Sequence, residues 1–244
     1  MHPAHTLSTG DTQFAAGASA SFALGPHANA INAADAEAIN VTTNNPTETY
    51  SRGALAAAAI APGVAPFVSG RVGLDHNIEG GFAYAGRIAR VDGRFAWQTD
   101  STALSIGVGA SALLSRRGAS PNRQIASLDL DETTGWGLDM PILFGWRSAA
   151  DFVWLWSGIR GGYDRLLGSV GYVAAGPEST IDGDISGSRS YVMGLFGLAV
   201  GFRYLHASVE LSGGYSLSKG TLWGTEVEVR GFSISPATAL LFRF

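Results

Sequence analysis

The stretch that decides the fold is STALSIGVGASALLS, residues 101–115. Alternate positions from Thr102 to Leu114 hold mainly larger apolar residues, and the positions between them hold Ala, Ser and Gly, with Leu113 as the exception. Because successive side chains of a β-strand point to opposite faces, this alternation predicts a strand with one apolar face and one small, polar face. The strand is longer than the roughly 5–6 residues usual in soluble proteins and matches the roughly 9–11 residues that cross a membrane at a tilt.

The same alternation recurs along the chain and predicts an all-β fold, a transmembrane antiparallel up-and-down β-barrel. An even number of strands returns both chain ends to one side, as this class requires, and about eight or twelve strands are the alternatives to about ten. The predicted strands are 12–24, 65–74, 78–87, 90–98, 102–115, 137–147, 152–164, 189–203, 205–218 and 226–244.

The predicted connections differ in length on the two sides of the barrel. Long external loops on one side and tight periplasmic turns on the other are typical of outer-membrane barrels. We therefore predict a periplasmic lead-in at 1–11 and one barrel domain at 12–244, in which segment 52–64 extends the second strand, forms a lid or enters the lumen. The predicted external loops are 25–64, 116–136 and 165–188.

Composition excludes several classes of protein. Charged residues make up 15% of the chain, against about 25% in an average domain, and Lys219 is the only lysine. A soluble barrel shows charged side chains to water, so these values favour the membrane barrel; a soluble β-sandwich with meeting apolar faces is the alternative. The net charge of −4 gives no nucleic-acid footprint, and a chain without cysteine has no disulfide or thiolate chemistry.

Two further features fit an exported membrane barrel. The start, residues 1–6, lacks the basic and apolar regions of a secretion signal, so we interpret the chain as a mature form with an added Met1. Aromatic residues near strand ends suit the interfacial girdles of membrane barrels. The residues that we assign to an aromatic girdle are Trp97, Trp146, Tyr204 and Phe242.

The end of the chain carries a resemblance. Residues Ser233 to Phe244, SISPATALLFRF, alternate in the same way and end in an aromatic residue. This end resembles the final strand of small Gram-negative outer-membrane β-barrel proteins. The resemblance implies localisation in the bacterial outer membrane, contact with the lipid bilayer and lipopolysaccharide, and recognition of Phe244 by the barrel-assembly machinery.

Charged residues at inward positions form the candidate site, and arginines outnumber acidic residues among them. Our functional prediction is a non-enzymatic narrow channel or route for small solutes, in which this lumen selects anions. The alternative is a closed barrel, filled by arginine and carboxylate groups, that serves surface binding, adhesion or envelope integrity through its loops. The predicted lumen residues are Arg71, Glu79, Arg87, Arg90, Asp92, Arg94, Asp139, Arg147, Arg203, Glu210, Glu228, Arg230 and Arg243.

A lipid-modifying enzyme is the third reading and has one candidate cluster. His206, Ser208 and Glu210 share a face, and a Ser-His-acid site needs its histidine hydrogen-bonded to the nucleophile. We interpret these residues as polar lumen groups and predict no catalytic residue, no cofactor and no metal site. The acidic segments 129–132 and 182–184 are interpreted as solvated loops, with divalent-cation binding as the alternative.

Two strands have an ambiguous register. In 152–164, Trp154 and Trp156 share parity with Arg160, so either the tryptophans point inward or a bulge shifts the register. At residues 230–231 we expect a bulge at the glycine, which turns Arg230 inward and leaves the following phenylalanine outward.

Overall fold

A computed structural model describes residues 3–40, 46–114, 125, 128–130, 132–173 and 180–244. Across these residues the chain forms eleven strands and two helices, and neither helix is long and apolar enough to span a membrane. The helices are α1, Pro26–Asn40, and α2, Glu48–Ile60. The strands are β1 Thr12–Leu24, β2 Gly63–Asp75, β3 Ile78–Ala85, β4 Ile88–Gln98, β5 Thr102–Leu113, β6 Leu128–Asp129, β7 Thr134–Arg147, β8 Val153–Val173, β9 Thr180–Phe202, β10 Leu205–Leu222 and β11 Thr225–Arg243.

All the strands except β6 close into one antiparallel barrel. Strands that follow one another along the chain pair, β1 pairs with β11, and β7 pairs with β5 and β8. The two-residue strand β6 lies against the end of β8, and the pairing of β8 with β9 completes the circle. The predicted ten-stranded barrel is confirmed. Closure leaves no unpaired sheet edge, which is what a β-structure in lipid requires.

The outer face of the barrel is apolar on every strand that forms it. Val108 is 64% exposed, Val192 is 62% exposed and Phe196 is 55% exposed. Inward positions hold small polar side chains such as Ser105 and Ser218, which are buried. A soluble protein buries its large apolar residues, whereas a membrane barrel presents them to lipid. This distribution excludes the soluble β-sandwich.

The two ends of the barrel differ in shape. The end that holds residues 12 and 244, called the terminal end, has tight turns, and the opposite end, called the loop end, carries both helices. The wall is higher on one side of the loop end. Strand β8 continues from Leu167, opposite the first residue of β7, to Val173, which adds about 20 Å of extended chain. Strands β9, β10 and β11 rise beside it.

Helix α2 lies inside this high part of the barrel. The Thr47 side chain caps its start by accepting a hydrogen bond from the backbone N–H of Tyr50 at 3.2 Å, and Ala61 ends it with a left-handed φ of 47°. Alanine favours the helix, and its small side chain fits a narrow space. A Cβ added to Gly53 would lie 2.3 Å from the Ala34 Cβ of α1, so this contact requires glycine.

The predicted loop segments contain regular structure. Among the three alternatives for 52–64, the structure shows entry into the lumen as α2, followed by the start of β2. Most of the predicted loop 165–188 is strand, in β8 and β9. Its inward residues, such as Leu166 and Ile185, pack against the helices, while its outward positions include polar residues. The sequence of this part of the strands therefore lacks the alternation of large apolar and small polar residues that predicts a strand between lipid and lumen.

The expected bulge at residues 230–231 is wrong. Strands β10 and β11 pair residue by residue along the whole of β10. Arg230 therefore points outward together with Phe232, and both are exposed. An irregular register occurs instead where β2 pairs with β3, between Gly73 and Asp75.

Replacement of an outward valine tests the lipid-facing surface. Val108 lies midway along β5, and its side chain is exposed. A charged side chain near the middle of the bilayer destabilises a β-barrel, so Val108→Arg should lower the free energy of unfolding in lipid vesicles by about 2–4 kcal/mol. Urea titration of the refolded protein measures this change, with Val108→Leu as the matched control. Equal stability of the two variants would contradict lipid contact at this position.

Candidate functional site

The middle of the lumen holds a layer of paired arginine and carboxylate side chains. They come from β2, β3, β4, β7 and β8 and meet because each occupies an inward position of its strand. Together they span the narrow interior. We call this set the ion-pair layer, and its members are Arg71, Glu79, Arg90, Asp92, Arg94, Asp139 and Arg160.

Each carboxylate of the layer bridges two arginines. Glu79 contacts Arg71 and Arg94, and its Oε1 lies 2.6 Å from Arg94 Nε. Asp92 lies 3.2 Å from Arg71 and 2.6 Å from Arg90. The carboxylates therefore link the guanidinium groups into one chain of ion pairs across the lumen.

Arg90 makes the most regular contact of the layer. Its Nε and Nη2 each donate to one oxygen of Asp139 at 2.8 Å. Such bidentate pairs are strong and fix the relative orientation of both groups. A Cβ added to Gly109 on the neighbouring strand would lie 2.3 Å from the Arg90 guanidinium, so glycine makes room for the pair. Arg160 approaches the same Asp139 at 3.5 Å.

Pairing removes most of the positive bias that the sequence indicates. The layer contains four arginines and three carboxylates, and the side chains of Glu79, Asp92 and Asp139 are at most 5% exposed. Buried charges recover their desolvation cost only when their partners are well placed. The paired side chains therefore occupy the lumen and leave little unpaired positive charge that could attract an anion.

Residues 3–7 fill the lumen between the ion-pair layer and the terminal end. The backbone N–H of Leu7 donates to Glu79 Oε2 at 3.0 Å, and Arg94 Nη2 donates to the carbonyl oxygen of His5 at 3.0 Å. Ala4 is 1% exposed, and a Cβ added to Gly145 would lie 2.6 Å from its Cβ. The segment that we predict as a periplasmic lead-in thus lies inside the barrel. Sequence alone shows no sign of this, because a segment of so few residues inside a lumen carries no periodic pattern.

The tryptophans of β8 also point into the lumen, which resolves the ambiguous register of 152–164. Trp154 stacks on the ring of His206, with centroids 4.1 Å apart, and Trp156 Nε1 donates to Glu210 Oε2 at 2.9 Å. The Ser208 hydroxyl donates to a backbone carbonyl of β11 at 2.9 Å. The members of the candidate Ser-His-acid cluster are therefore each engaged by a structural partner.

Helix α2 fills the lumen on the loop-end side of the layer and is tied to the high wall. Arg189 of β9 donates to the carbonyl oxygen of Ala59 and pairs with Asp164 at 2.6 Å. Its guanidinium also lies 4.8 Å from the centre of the Tyr191 ring. A cation beside the last carbonyls of a helix is favourable. Our sequence analysis missed Arg189. Asp164 occupies the same face of β8 as the two tryptophans, so their inward orientation also places Asp164 inward, where it meets Arg189.

The remaining predicted lumen residues fall at different heights. Arg147 and Arg243 border a small space beside residues 3–7 at the terminal end. Glu210 lies inward beside the tryptophan of β8. Arg87 lies in the turn between β3 and β4 at the loop end, where its guanidinium donates to backbone carbonyl oxygens.

Three predicted lumen residues lie elsewhere. Arg203 occupies the exposed turn between β9 and β10, with a left-handed φ of 54°. Glu228 and Arg230 lie on the outer face of β11, because the expected bulge does not form. There Glu228 pairs with Arg230 and, at 2.9 Å, with Lys219, and these pairs are open to solvent.

The predicted girdle residues lie together near one end of the barrel. Trp97, Trp146, Tyr204 and Phe242 are exposed, and all are within or beside turns of the terminal end or beside the last residue. Phe244 is exposed, and its backbone N–H donates to the Thr12 carbonyl oxygen at 2.9 Å. A band of aromatic side chains at one membrane interface stays our prediction for these residues.

The two acidic segments differ in structure. Among the described residues, no group of three or more His, Asp or Glu side chains is close enough to hold a metal ion. Of segment 129–132, residue 131 lies outside the described ranges. Segment 182–184, which we predict as a loop, belongs to β9.

Comparisons with known proteins give distant structural similarities. No protein-family model and no curated protein matches the chain. Ail, the attachment invasion locus protein of Yersinia pestis, is similar over 97% of this chain and 99% of its own, with 10% identity and a TM-score of 0.35. Neisserial surface protein A, NspA, is similar over 96% of each chain, with 11% identity and a TM-score of 0.29.

The fold assignment rests on the closed barrel and its apolar outer face. The chain forms a closed ten-stranded antiparallel β-barrel with an apolar outer face. Its strands meet lipid with large apolar side chains, and its lumen is packed with residues 3–7, the ion-pair layer and α2.

Neutralisation of Glu79 tests the ion-pair layer. Glu79→Gln leaves Arg71 and Arg94 buried without their shared carboxylate, and removal of one partner from a buried ion pair costs about 3–5 kcal/mol. Urea unfolding in vesicles measures this loss. The control is Glu228→Gln, which removes an exposed pair with Lys219 and should change the free energy of unfolding little. If both substitutions lowered the free energy of unfolding equally, the buried ion-pair layer would contribute no more to stability than an exposed ion pair.

Burial gives His5 an unusual pKa. Desolvation, and next the positive charge of Arg147, lower the pKa of His5 from 6.5 to about 4; Arg94 and Arg243 act in the same direction, and Asp151 opposes them. Since the pKa is depressed in the folded state, the docked segment is fully stabilised above pH 6.5. As the pH falls from 6.5 to about 4, the undocked form takes up a proton that the docked form excludes, and stability declines.

The free energy of unfolding should therefore fall between pH 7 and about pH 4.5 more steeply in the native sequence than in His5→Gln. Urea titrations in vesicles at both pH values measure the difference. His76→Gln is the control, because His76 lies in an exposed turn and its replacement should leave the profile unchanged. Identical profiles for the native sequence and His5→Gln would contradict the docking of a neutral His5.

Proposed function

We propose that this protein is a closed outer-membrane barrel that acts through its loop end and does not conduct solutes. The observation that carries the proposal is the continuous filling of the lumen. Residues 3–7 contact the ion-pair layer through Glu79 and Arg94, and α2 occupies the space beyond it, held by Arg189. A barrel of about ten strands has an interior only a little wider than its own side chains, so these parts block it.

Of the functional predictions made from the sequence, this proposal favours the closed barrel over the narrow anion-selective channel. An anion channel needs unpaired positive charge along an open path, and the arginines of the layer are paired. Long external loops on a rigid barrel are well suited to binding. Surface binding or adhesion and envelope integrity are therefore the roles that we propose, in contact with lipopolysaccharide and after recognition of Phe244 by the barrel-assembly machinery.

Conductance recordings separate the closed barrel from a gated channel. The native protein in planar bilayers should give no stable conductance steps. Gly145→Leu should displace Ala4 and the segment around it, because an added side chain overlaps that segment. The variant should stay silent as well, since the ion-pair layer and α2 remain. Steps from the native protein, or steps that appear only in Gly145→Leu, would overturn the proposal in favour of a channel.

Silence is informative only for folded, inserted protein. The same preparations are therefore run unboiled and boiled on SDS gels, where a closed barrel migrates differently until it is heated. Gly93→Leu is the matched control, because a Cβ at Gly93 meets nothing within 4 Å and this position faces outward. It should behave as the native protein in both measurements.

A further inference from the structure

A cavity of about 240 Å³ lies at the loop end, between α2 and the low side of the wall. Ala57 and Ala58 of the helix form one side, and Ser19 and Ser21 of β1 form another. Leu128 of β6 contributes to its border. The helices leave this space because they pack against β9, β10 and β11, which form the high part of the wall.

Part of the border of the cavity belongs to the apolar outer face of the barrel. Val64 at the start of β2 and Ile88 at the start of β4 both border it, and their side chains are 63% and 40% exposed. The wall here stops at the short turn between Ala85 and Ile88, while β8 to β11 continue. Exposed apolar side chains therefore lead from the outer face of the barrel to the cavity.

Two charged residues, Arg87 and Asp129, border the cavity, and the Arg87 guanidinium is engaged by backbone carbonyl oxygens. Arg87 donates from Nε to the carbonyl oxygen of Leu114 at 3.0 Å, and from its two Nη atoms to those of Leu130 at 3.0 Å and Thr133 at 2.7 Å. These bonds tie the segment before β7 to the turn between β3 and β4. Because its donors are engaged by carbonyl oxygens, the site favours an apolar ligand over an acidic headgroup.

We propose that this cavity binds one alkyl chain of a membrane amphiphile, which enters from the bilayer over the low side of the wall. An apolar cavity of roughly 150 Å³ already takes up a benzene-sized molecule, so the space is sufficient for a segment of alkyl chain. The inference rests on the proposed function and deepens it, because it names what the loop end of a closed barrel binds. The chain can belong to a phospholipid or to a free fatty acid, and the experiment separates these sources.

The test is photolabelling of the full-length protein refolded in phosphatidylcholine vesicles. One arm uses a phosphatidylcholine with a terminal diazirine on one acyl chain, and the other uses a palmitic acid with the same group. Peptide mass spectrometry should find the label on residues 57–61 and on Ile125, Leu128 and Leu130. Excess unlabelled palmitate should displace the label in the fatty-acid arm, and label in one arm alone identifies the source.

Two substitutions narrow the cavity from opposite sides. Ala58→Phe acts from α2 and Ser19→Leu acts from β1, so failure of one variant to fold leaves the other. Each should reduce labelling of residues 57–61 at least about tenfold, as the loss of an apolar pocket predicts. Ala112→Phe, on an exposed position of β5, is the control and should keep the native labelling.

The outcomes distinguish this inference from the proposed function. Label that is confined to outward residues away from the cavity, such as Val108 and Val192, or that is unchanged in both narrowing variants, would overturn the alkyl site. The closed barrel depends on the conductance result and is unaffected by that outcome. Conductance of the native protein together with competed, cavity-specific labelling would overturn the closed barrel and keep the alkyl site.

Discussion

Lipid offers no hydrogen-bond partner to a polypeptide backbone, and the rest of this structure depends on that constraint. A β-structure meets it only by closing, as β1 does with β11 and β8 does with β9. Closure of so few strands produces a narrow interior that must be filled by side chains or by the chain itself. The filled lumen and the apolar outer face are therefore two consequences of one requirement.

The ion-pair layer does more than occupy space. A strand that slips by one residue exchanges its two faces. In β4 such a slip would carry Arg90, Asp92 and Arg94 from the lumen into lipid, where each arginine costs about 2–4 kcal/mol near the midplane. Glu79 of the neighbouring strand β3 and Asp139 of β7, which lies beyond β5, hold these arginines. The layer therefore also sets the register of β4 against β3 and its position relative to β7. The charged residues inside the barrel thus specify the strand register, and the apolar residues outside stabilise the barrel in lipid.

The same reasoning explains how far the sequence predicts this protein. Strands that lie in lipid must alternate, so the residue pattern places β1, β5 and β7 within a few residues of their observed bounds. Above the membrane that demand ends: Leu166 and Ile185 face the helices, Arg165 faces away from them, and the extensions of β8 and β9 read as loop. For the same reason residues 3–7 were missed as lumen contents, and lumen entry of 52–64 was one of three alternatives. A segment inside a barrel faces the wall on all sides and needs no alternation.

The uneven height of the wall determines where the helices pack at the loop end and where a cavity remains. The high side, β8 to β11, supplies the apolar surface on which α1 and α2 pack, and Arg189 binds the end of α2 to that side. Helices held against one wall cannot also fill the space next to the low wall, and Arg87 keeps the segment before β7 across that space. A cavity at the low side, bordered in part by outward apolar side chains, follows from this asymmetry. In a barrel whose axis is closed, the membrane-facing side of the loop end is then the route by which a small apolar molecule reaches the interior.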